Sequence, residues 1–255
     1  MEGRVAIVIG SSRGIGKAIA IHLASCNARI AINYSSSKEL ALQLAEEINS
    51  SNPTSSPLSP RAIALHADVS NADQIKKLFD DAEEAFSSPV HILVNAAGVL
   101  DSQYPLIENT SLEQFDRLFS INTRGAFICC KEAAKRIKRG GGGRIIMISS
   151  SMVGGLKVGF GAYAASKAAV ETMVKILAKE LKGSGITANC VAPGPIATDM
   201  FYAGKTEEQV KRSIDECPLN RLGEPRDVAS VVGFLASDGG EWINGQVIRA
   251  NGGYV

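Results

Sequence analysis

The sequence predicts an α/β fold: a doubly wound, mainly parallel sheet of seven strands with helices on both faces, in a single domain. Three observations lead there. Short apolar, β-branched runs alternate with amphipathic segments of helical period along the chain. Several of those runs are apolar almost throughout, as expected of strands covered on both faces. A glycine-rich turn joins the first run to the first helical segment.

Taken in order, the first strand is expected over 4–9, and a helix over 15–26 follows the glycine turn. The second strand falls near 29–33 and the second helix over 37–50, with Ser37 at its start. The Ser/Pro-rich stretch 49–60 breaks the alternation, because Pro53, Pro57 and Pro60 exclude regular structure; a mobile surface loop is expected there. Strand 62–66, helix 71–87 and strand 91–94 resume the pattern. A long helix, 112–138, then leads through the glycine-rich connection 140–143 into strand 144–149. Helix 162–182, rich in Ala, Lys, Leu and Glu, precedes strand 186–192. Helices 206–215 and 225–236 and a last strand, 246–249, complete the pattern.

Composition narrows the function classes. A chain of 255 residues with 45% hydrophobic content supports a sizeable single core. A net charge of +1 offers no electrostatic footprint for nucleic acid or an anionic membrane. The longest apolar runs have strand length and are far too short to span a bilayer. Strand-like sequence from Arg4 leaves no room for a targeting segment, so a cytoplasmic location is expected, and a plastid one only if a presequence has been removed. The five cysteines include no Cys-x-x-Cys pair, and Cys26, Cys129 and Cys190 lie among apolar neighbours as buried thiols. A reducing compartment follows, with neither disulfide framework nor zinc site. His22, His66 and His91 have no ligand spacing, so no metal is expected.

Chemistry first shows at Tyr163-Ala164-Ala165-Ser166-Lys167. Residues four apart on a helix share a face, so the Lys167 ammonium can approach the Tyr163 phenol. Free tyrosine has a pKa of about 10, too high for efficient general acid work at neutral pH. A nearby cation favours the phenolate, and bringing the value to neutrality takes about 4 kcal/mol.

The turn Gly10-Ser11-Ser12-Arg13-Gly14-Ile15-Gly16 follows the first strand and opens the first helix. Glycines there allow a tight turn and let backbone approach a pyrophosphate on the helix N-terminus, the Rossmann-type arrangement for a dinucleotide. A fold of this type that takes NAD has Asp or Glu after the second strand, to accept from the ribose 2′-hydroxyl. Here the position reads Asn33-Tyr34-Ser35-Ser36-Ser37-Lys38, with no acid before Glu39. Arg13 can instead take a 2′-phosphate in forked geometry, with the Ser35 and Ser36 hydroxyls as further donors. The expected cofactor is therefore NADP(H). The plainer alternative is that these serines only cap the second helix.

These residues together resemble the short-chain dehydrogenase/reductase family across nearly the whole chain. Further matching motifs are Asp68-Val69, Asn95-Ala96-Ala97-Gly98, Asn122, Pro193-Gly194 and Asn251-Gly252-Gly253, the last with Asn for the family's Asp. The resemblance implies that Gly10, Ser12, Arg13, Gly14, Ile15, Gly16, Asn33, Tyr34, Ser35, Ser36, Asp68, Val69, Asn95, Ala96, Gly98, Pro193, Gly194, Ile196 and Thr198 serve the cofactor, together with Tyr163 and Lys167. It implies catalysis by a serine, Tyr163, Lys167 and Asn122, with Asn122 holding a water that relays protons from Lys167. The run Ser149-Ser150-Ser151-Met152-Val153-Gly154 leaves two serines open. Ser151 is favoured because it precedes the glycine by the family's usual interval, whereas Ser150 gives the commoner distance to the tyrosine.

One further departure is Ile9, where the family usually has a Thr that braces the Asn-Ala-Gly turn. Leu100, Tyr104, Met152, Val153, Pro195, Phe201 and Tyr202 are expected around the substrate, with 195–218 as a lid region. The implied activity is NADPH-dependent reduction of a small or medium apolar aldehyde or ketone, as in the family's plant-type aldehyde reductases. Reduction of 3-oxoacyl-carrier-protein thioesters is the alternative, and a non-catalytic NADPH-binding sensor on the same fold is the reading from another class. Relatives assemble as tetramers, so a homotetramer, or a dimer, is expected.

Overall fold

Aliphatic residues dominate the central strands, and the middle of the sheet is covered on both faces. All residues of β1 (Val5–Ile9), β4 (Val90–Asn95), β5 (Gly143–Ile148) and β6 (Ile186–Pro193) are buried. The structure, a computed structural model, describes residues 1–51 and 60–255. With β2 (Arg29–Tyr34), β3 (Ala62–His66) and β7 (Val247–Ala250), the strands form one parallel sheet ordered β3-β2-β1-β4-β5-β6-β7. The strand order reverses between β1 and β4, which opens a crevice at their carboxyl ends.

Two apolar layers hold the helices to the sheet. On one face Ile75, Leu78 and Phe79 of α3 (Ala72–Phe86), Cys129 of α5 (Gly125–Arg136) and Val174 of α7 (Gly161–Glu180) meet Ile7, Leu93 and Ile145. On the other, Ile19 and Leu23 of α1 (Gly14–Ser25), Leu44 of α2 (Lys38–Ser50) and Val232 of α10 (Pro225–Ala236) meet Val8, Ile32 and Val94. Ile9 belongs to the first layer and is fully buried. The turn that a threonine would brace is held without one, since Ile9 O accepts from Ala96 N and Asn95 Oδ1 accepts from Ala97 N.

The expected elements are present, with shifts that have local causes. The helix expected over 112–138 is a rod in three parts: α4 (Leu112–Phe119), a π turn at Ser120–Arg124, and α5, which ends at Arg136. α2 ends at Ser50, as the expected helix over 37–50 does, so Asn49 and Ser50, where the two expected segments overlapped, are helical; the Asn49 amide accepts from the Arg61 and Ala62 backbone and donates to Ala62 O. Residues 52–59 of that stretch lie outside the described residues. Short helices α6 (Met152–Gly155) and α8 (Asp199–Tyr202) and the longer α9 (Glu207–Asp215) fill the carboxyl edge. Cys26 is half-buried rather than buried, while Cys129 and Cys190 are enclosed as expected. Among the described residues no helix is long and apolar enough to cross a membrane.

Candidate active site

The crevice between β1 and β4 is where the glycine loop lies, and sterics explain its composition. Gly10 has φ +71, and a Cβ there would stand 2.9 Å from the Ala97 backbone. A Cβ on Gly16 would stand 2.2 Å from Gly10 O. Gly14, at φ +55, faces open space except for Thr198, whose methyl lies 3.5 Å from the Cβ position. The space over Gly14, bounded by Thr198, is a groove between the glycine loop and the 194–198 segment.

Several observations fit a phosphorylated dinucleotide. The α1 N-terminus has no side-chain cap and no acid in its first turn, so its N–H groups face outward unanswered. Arg13 is exposed, and among the described residues no carboxylate pairs with it. Ser35 and Ser36, after β2, are exposed, and Ser37 makes no capping bond to α2, so the plainer reading of these serines has no bond to support it. Asp68 is exposed, and its carboxylate accepts from the Ser70 N–H and hydroxyl.

Other expected cofactor residues act from beneath. The Asn33 amide is buried and accepts from Gly10 N while donating to Ala67 O, so it braces the loop and presents no free group. Tyr34 stacks edge-on with His66. Val69 is core and packs where a side chain on Gly125 would be, its methyls 2.9 Å from that Cβ position. Ile196 is buried against Gly223, to which its backbone also bridges. Ser12, Ile15 and Ala96 remain half-buried around the loop. Pro193 ends β6, and Gly194 is glycine because Asn251 comes within 2.7 Å of its Cβ position.

At the carboxyl ends of β5 and β6 the serine run sends each hydroxyl in a different direction. Ser149 Oγ donates to Glu171 of α7 at 2.7 Å. Ser150 Oγ accepts from Met152 N at 3.2 Å, and its hydroxyl is the neighbour that pulls the Tyr163 phenol downward in pKa. Ser151 is fully buried, donates to Ala192 O at 2.9 Å and accepts from the Asn251 amide at 3.1 Å. Of the two serines left open by the sequence, Ser151, the one favoured there, has its hydroxyl turned to β6 and the C-terminal segment, and Ser150 is the one whose hydroxyl acts on the Tyr163 phenol. Gly154, the residue that suggested Ser151, is glycine for another reason, because the Arg249 guanidinium comes within 2.5 Å of its Cβ position.

Electrostatics at Tyr163 also differ from expectation. Burial holds the phenol above the ordinary tyrosine value, against a smaller downward pull from Ser150. Lys167 is 4% exposed, donates to Ile148 O at 2.9 Å, and is pulled down to about 8 by burial. Tyr163 is half-buried and Lys167 buried, and desolvation is the larger influence on each, so Tyr163 keeps its proton at neutral pH. The π turn brings Asn122 to the same corner. Its amide accepts from Val99 N at 2.8 Å and donates to Val99 O and Ser166 Oγ. A Cβ on Gly98 would lie 3.2 Å from Lys167 Nζ and 3.4 Å from Asn122 Oδ1, so lysine, asparagine and the Asn95-Ala96-Ala97-Gly98 turn converge there.

A family model described as enoyl-(acyl carrier protein) reductase matches residues 9–255. A short-chain type dehydrogenase/reductase of Picea abies is 56% identical, covering 100% of this chain and 93% of its own length. The chain belongs to the short-chain dehydrogenase/reductase family. Within that family, the NADPH-dependent aldehyde reductase-like chloroplastic protein of Arabidopsis thaliana is 64% identical, covering 100% of this chain and 95% of the relative. A crystal structure of a short-chain dehydrogenase from Burkholderia cenocepacia in complex with NADP superposes with a TM-score of 0.88 at 34% identity, over 99% of this chain and 98% of that one.

Of the residues expected around the substrate, Leu100, Val153 and Pro195 are half-buried, Met152 is buried and Tyr202 is 48% exposed. Tyr104 stacks on Phe160, which meets the Tyr163 ring edge-on at 6.2 Å. Phe160, Ser166, Glu171 and Lys205 went unnoticed in the sequence. Ser166 lies three residues after Tyr163, the one helical-spacing signal that pointed to it; its hydroxyl donates to Tyr163 O.

Proposed function

We propose that the chain is an NADPH-dependent carbonyl reductase acting on small or medium apolar aldehydes and ketones, with Tyr163 as proton donor. What carries the reading is a half-buried, protonated Tyr163 phenol four residues before Lys167 on α7, with Ser150 acting on it and with Lys167 and Asn122 meeting at Gly98. The names of the aldehyde reductase relatives and the NADP-bound neighbour support it. NADPH, when bound, supplies the hydride. On this chain the glycine loop and α1 N-terminus serve its pyrophosphate, and Arg13 with Ser12, Ser35 and Ser36 serves the 2′-phosphate.

Ser150 donates to the substrate carbonyl oxygen and fixes its position. Tyr163 passes its proton to that oxygen as negative charge develops, where a preorganised donor does most. The Lys167 ammonium adds a positive field, and Tyr163 regains its proton through the corner shared with Asn122. An acyl-carrier-protein substrate is less favoured, because Arg124 is bonded to Ser70 O and Arg136 is paired with Asp80 and Glu83. An enoyl substrate is disfavoured by the short tyrosine–lysine interval. We further infer a homotetramer, and a plastid address in keeping with the chloroplastic names of two relatives.

The test is NADPH oxidation against a panel of aldehydes, ketones and acetoacetyl thioesters. Tyr163→Phe is expected to lose at least about 100-fold in rate. Ser150→Ala should lose rate in the same assay, while Ser151→Ala should chiefly lose thermal stability. Arg13→Ala should weaken NADPH far more than NADH. A wild-type rate in Tyr163→Phe would overturn the mechanism, and a marked thioester preference would overturn the substrate class.

A further inference from the structure

A half-buried ammonium without a carboxylate partner stands at the edge of the substrate region. Lys205 follows α8, and among the described residues no Asp or Glu pairs with it. Its Nζ instead donates to the Tyr104 hydroxyl and to Phe201 O, and lies 4.5 Å from the centroids of both the Tyr104 and Phe201 rings. Burial and the nearby Lys157 pull its pKa down to about 8; Lys157 is itself paired with Glu216. Burying a cation is costly unless hydrogen bonds and ring faces replace its water. Here all of these come from two segments that are remote in sequence: the 101–104 turn and the 198–205 segment.

The same two segments are pressed together at the backbone. A Cβ on Gly204, at φ +71, would stand 2.0 Å from Ser102 O. The Tyr104 hydroxyl donates to Ala203 O at 3.0 Å. Tyr104 itself has φ +49, a left-handed conformation that a non-glycine residue holds only where its surroundings impose it. From Tyr104 a line of aromatic rings runs through Phe160 to Tyr163.

We propose that Lys205 is a positioning residue, clasping Tyr104 to the α8 segment so that the aromatic wall beside Tyr163 is preformed for a carbonyl substrate. The clasp rests on the carbonyl-reductase reading for the identity of what it encloses. Its role is to fix the wall, so it acts on substrate binding and leaves hydride and proton transfer unchanged. Removing it frees both segments, and the substrate then bears the cost of ordering them.

The test compares steady-state kinetics of the wild-type protein with Lys205→Met and Lys205→Arg, using the best aldehyde found for the wild type. Lys205→Met keeps the stem and removes the charge. Its KM for the aldehyde is expected to rise roughly tenfold, as for loss of a charge-assisted hydrogen bond. The kcat and the KM for NADPH should stay within about twofold of wild type, a split that general destabilisation does not produce. Lys205→Arg, which keeps both the hydrogen bonds and the ring contacts, should recover most of the KM. An unchanged aldehyde KM in Lys205→Met, an equal fall in kcat, or no recovery with arginine would overturn the clasp. Should Lys205→Met fail to fold, Tyr104→Phe deletes one hydroxyl and is expected to raise the same KM; an unchanged value there overturns the proposal. A wild-type protein that reduced no carbonyl would instead refute the carbonyl-reductase reading.

Discussion

Burial of the Lys167 ammonium, which lowers its pKa to about 8, makes this residue costly to the fold as well as useful to the chemistry. Between about 8 and the ordinary value of 10.5 the unfolded chain holds a proton that the folded chain has released. Stability therefore rises with pH across that window, and below it the folded protein carries the full cost, about 3 kcal/mol. Lys167→Met removes this cost but leaves Ile148 O without its donor, worth about 1 kcal/mol. The variant is expected to be more stable than wild type by about 1–2 kcal/mol at pH 7, with the advantage gone by pH 10.5, while carbonyl reduction is lost. Urea unfolding at both pH values checks it. A variant less stable at pH 7 would mean that the Ile148 bond outweighs the buried charge. The residue is retained, on this reading, because its ammonium serves the site.

At the scale of elements, the β1–α1 junction separates two uses of glycine. A side chain on Gly16 would collide with Gly10 O at 2.2 Å, whereas one on Gly14 meets only the Thr198 methyl at 3.5 Å. Gly16→Ala must therefore move the loop or the helix, and is expected to cost about 1–3 kcal/mol and lower Tm. Gly14→Ala bears only the left-handed penalty of about 1 kcal/mol, but its methyl would stand in the groove, so NADPH affinity should fall while the fold persists. Thermal unfolding and NADPH titration of the two variants separate these effects, and equal Tm losses would show that Gly14 is also a packing glycine. Such junctions were legible in the sequence because local sterics govern them, as strands buried on both faces were legible from unbroken apolar runs. The π turn at Ser120–Arg124 was not legible, since Ser120-Ile121-Asn122-Thr123-Arg124 contains no residue that breaks a helix. Nor was the direction of Ser151, which is set by Ala192 O and Asn251, groups distant in sequence. Lys205 was invisible for the same reason: its partner Tyr104 is 101 positions away.

The whole molecule leaves large apolar side chains in contact with water on several elements. Leu112 of α4, Phe127 of α5 and Ile176 of α7 are 77%, 52% and 51% exposed, and Trp242, beyond α10, is 97% exposed. Aromatic residues in this state are enriched where another chain covers them. A homotetramer would bury them, and light scattering is then expected to give about four times the 26.9 kDa chain mass. Phe127→Glu places a charge on the α5 face and should reduce that mass by at least half, because burying an unpaired carboxylate is unfavourable. Trp242 is the chain's only tryptophan, so its fluorescence reports on its own surroundings. If assembly covers it, emission shifts to the blue as protein concentration rises through the dissociation range, and dilution reverses the shift. A monomer mass at tens of micromolar, or emission that stays at the water-exposed wavelength in the assembled protein, would place Trp242 outside any interface between copies of the chain.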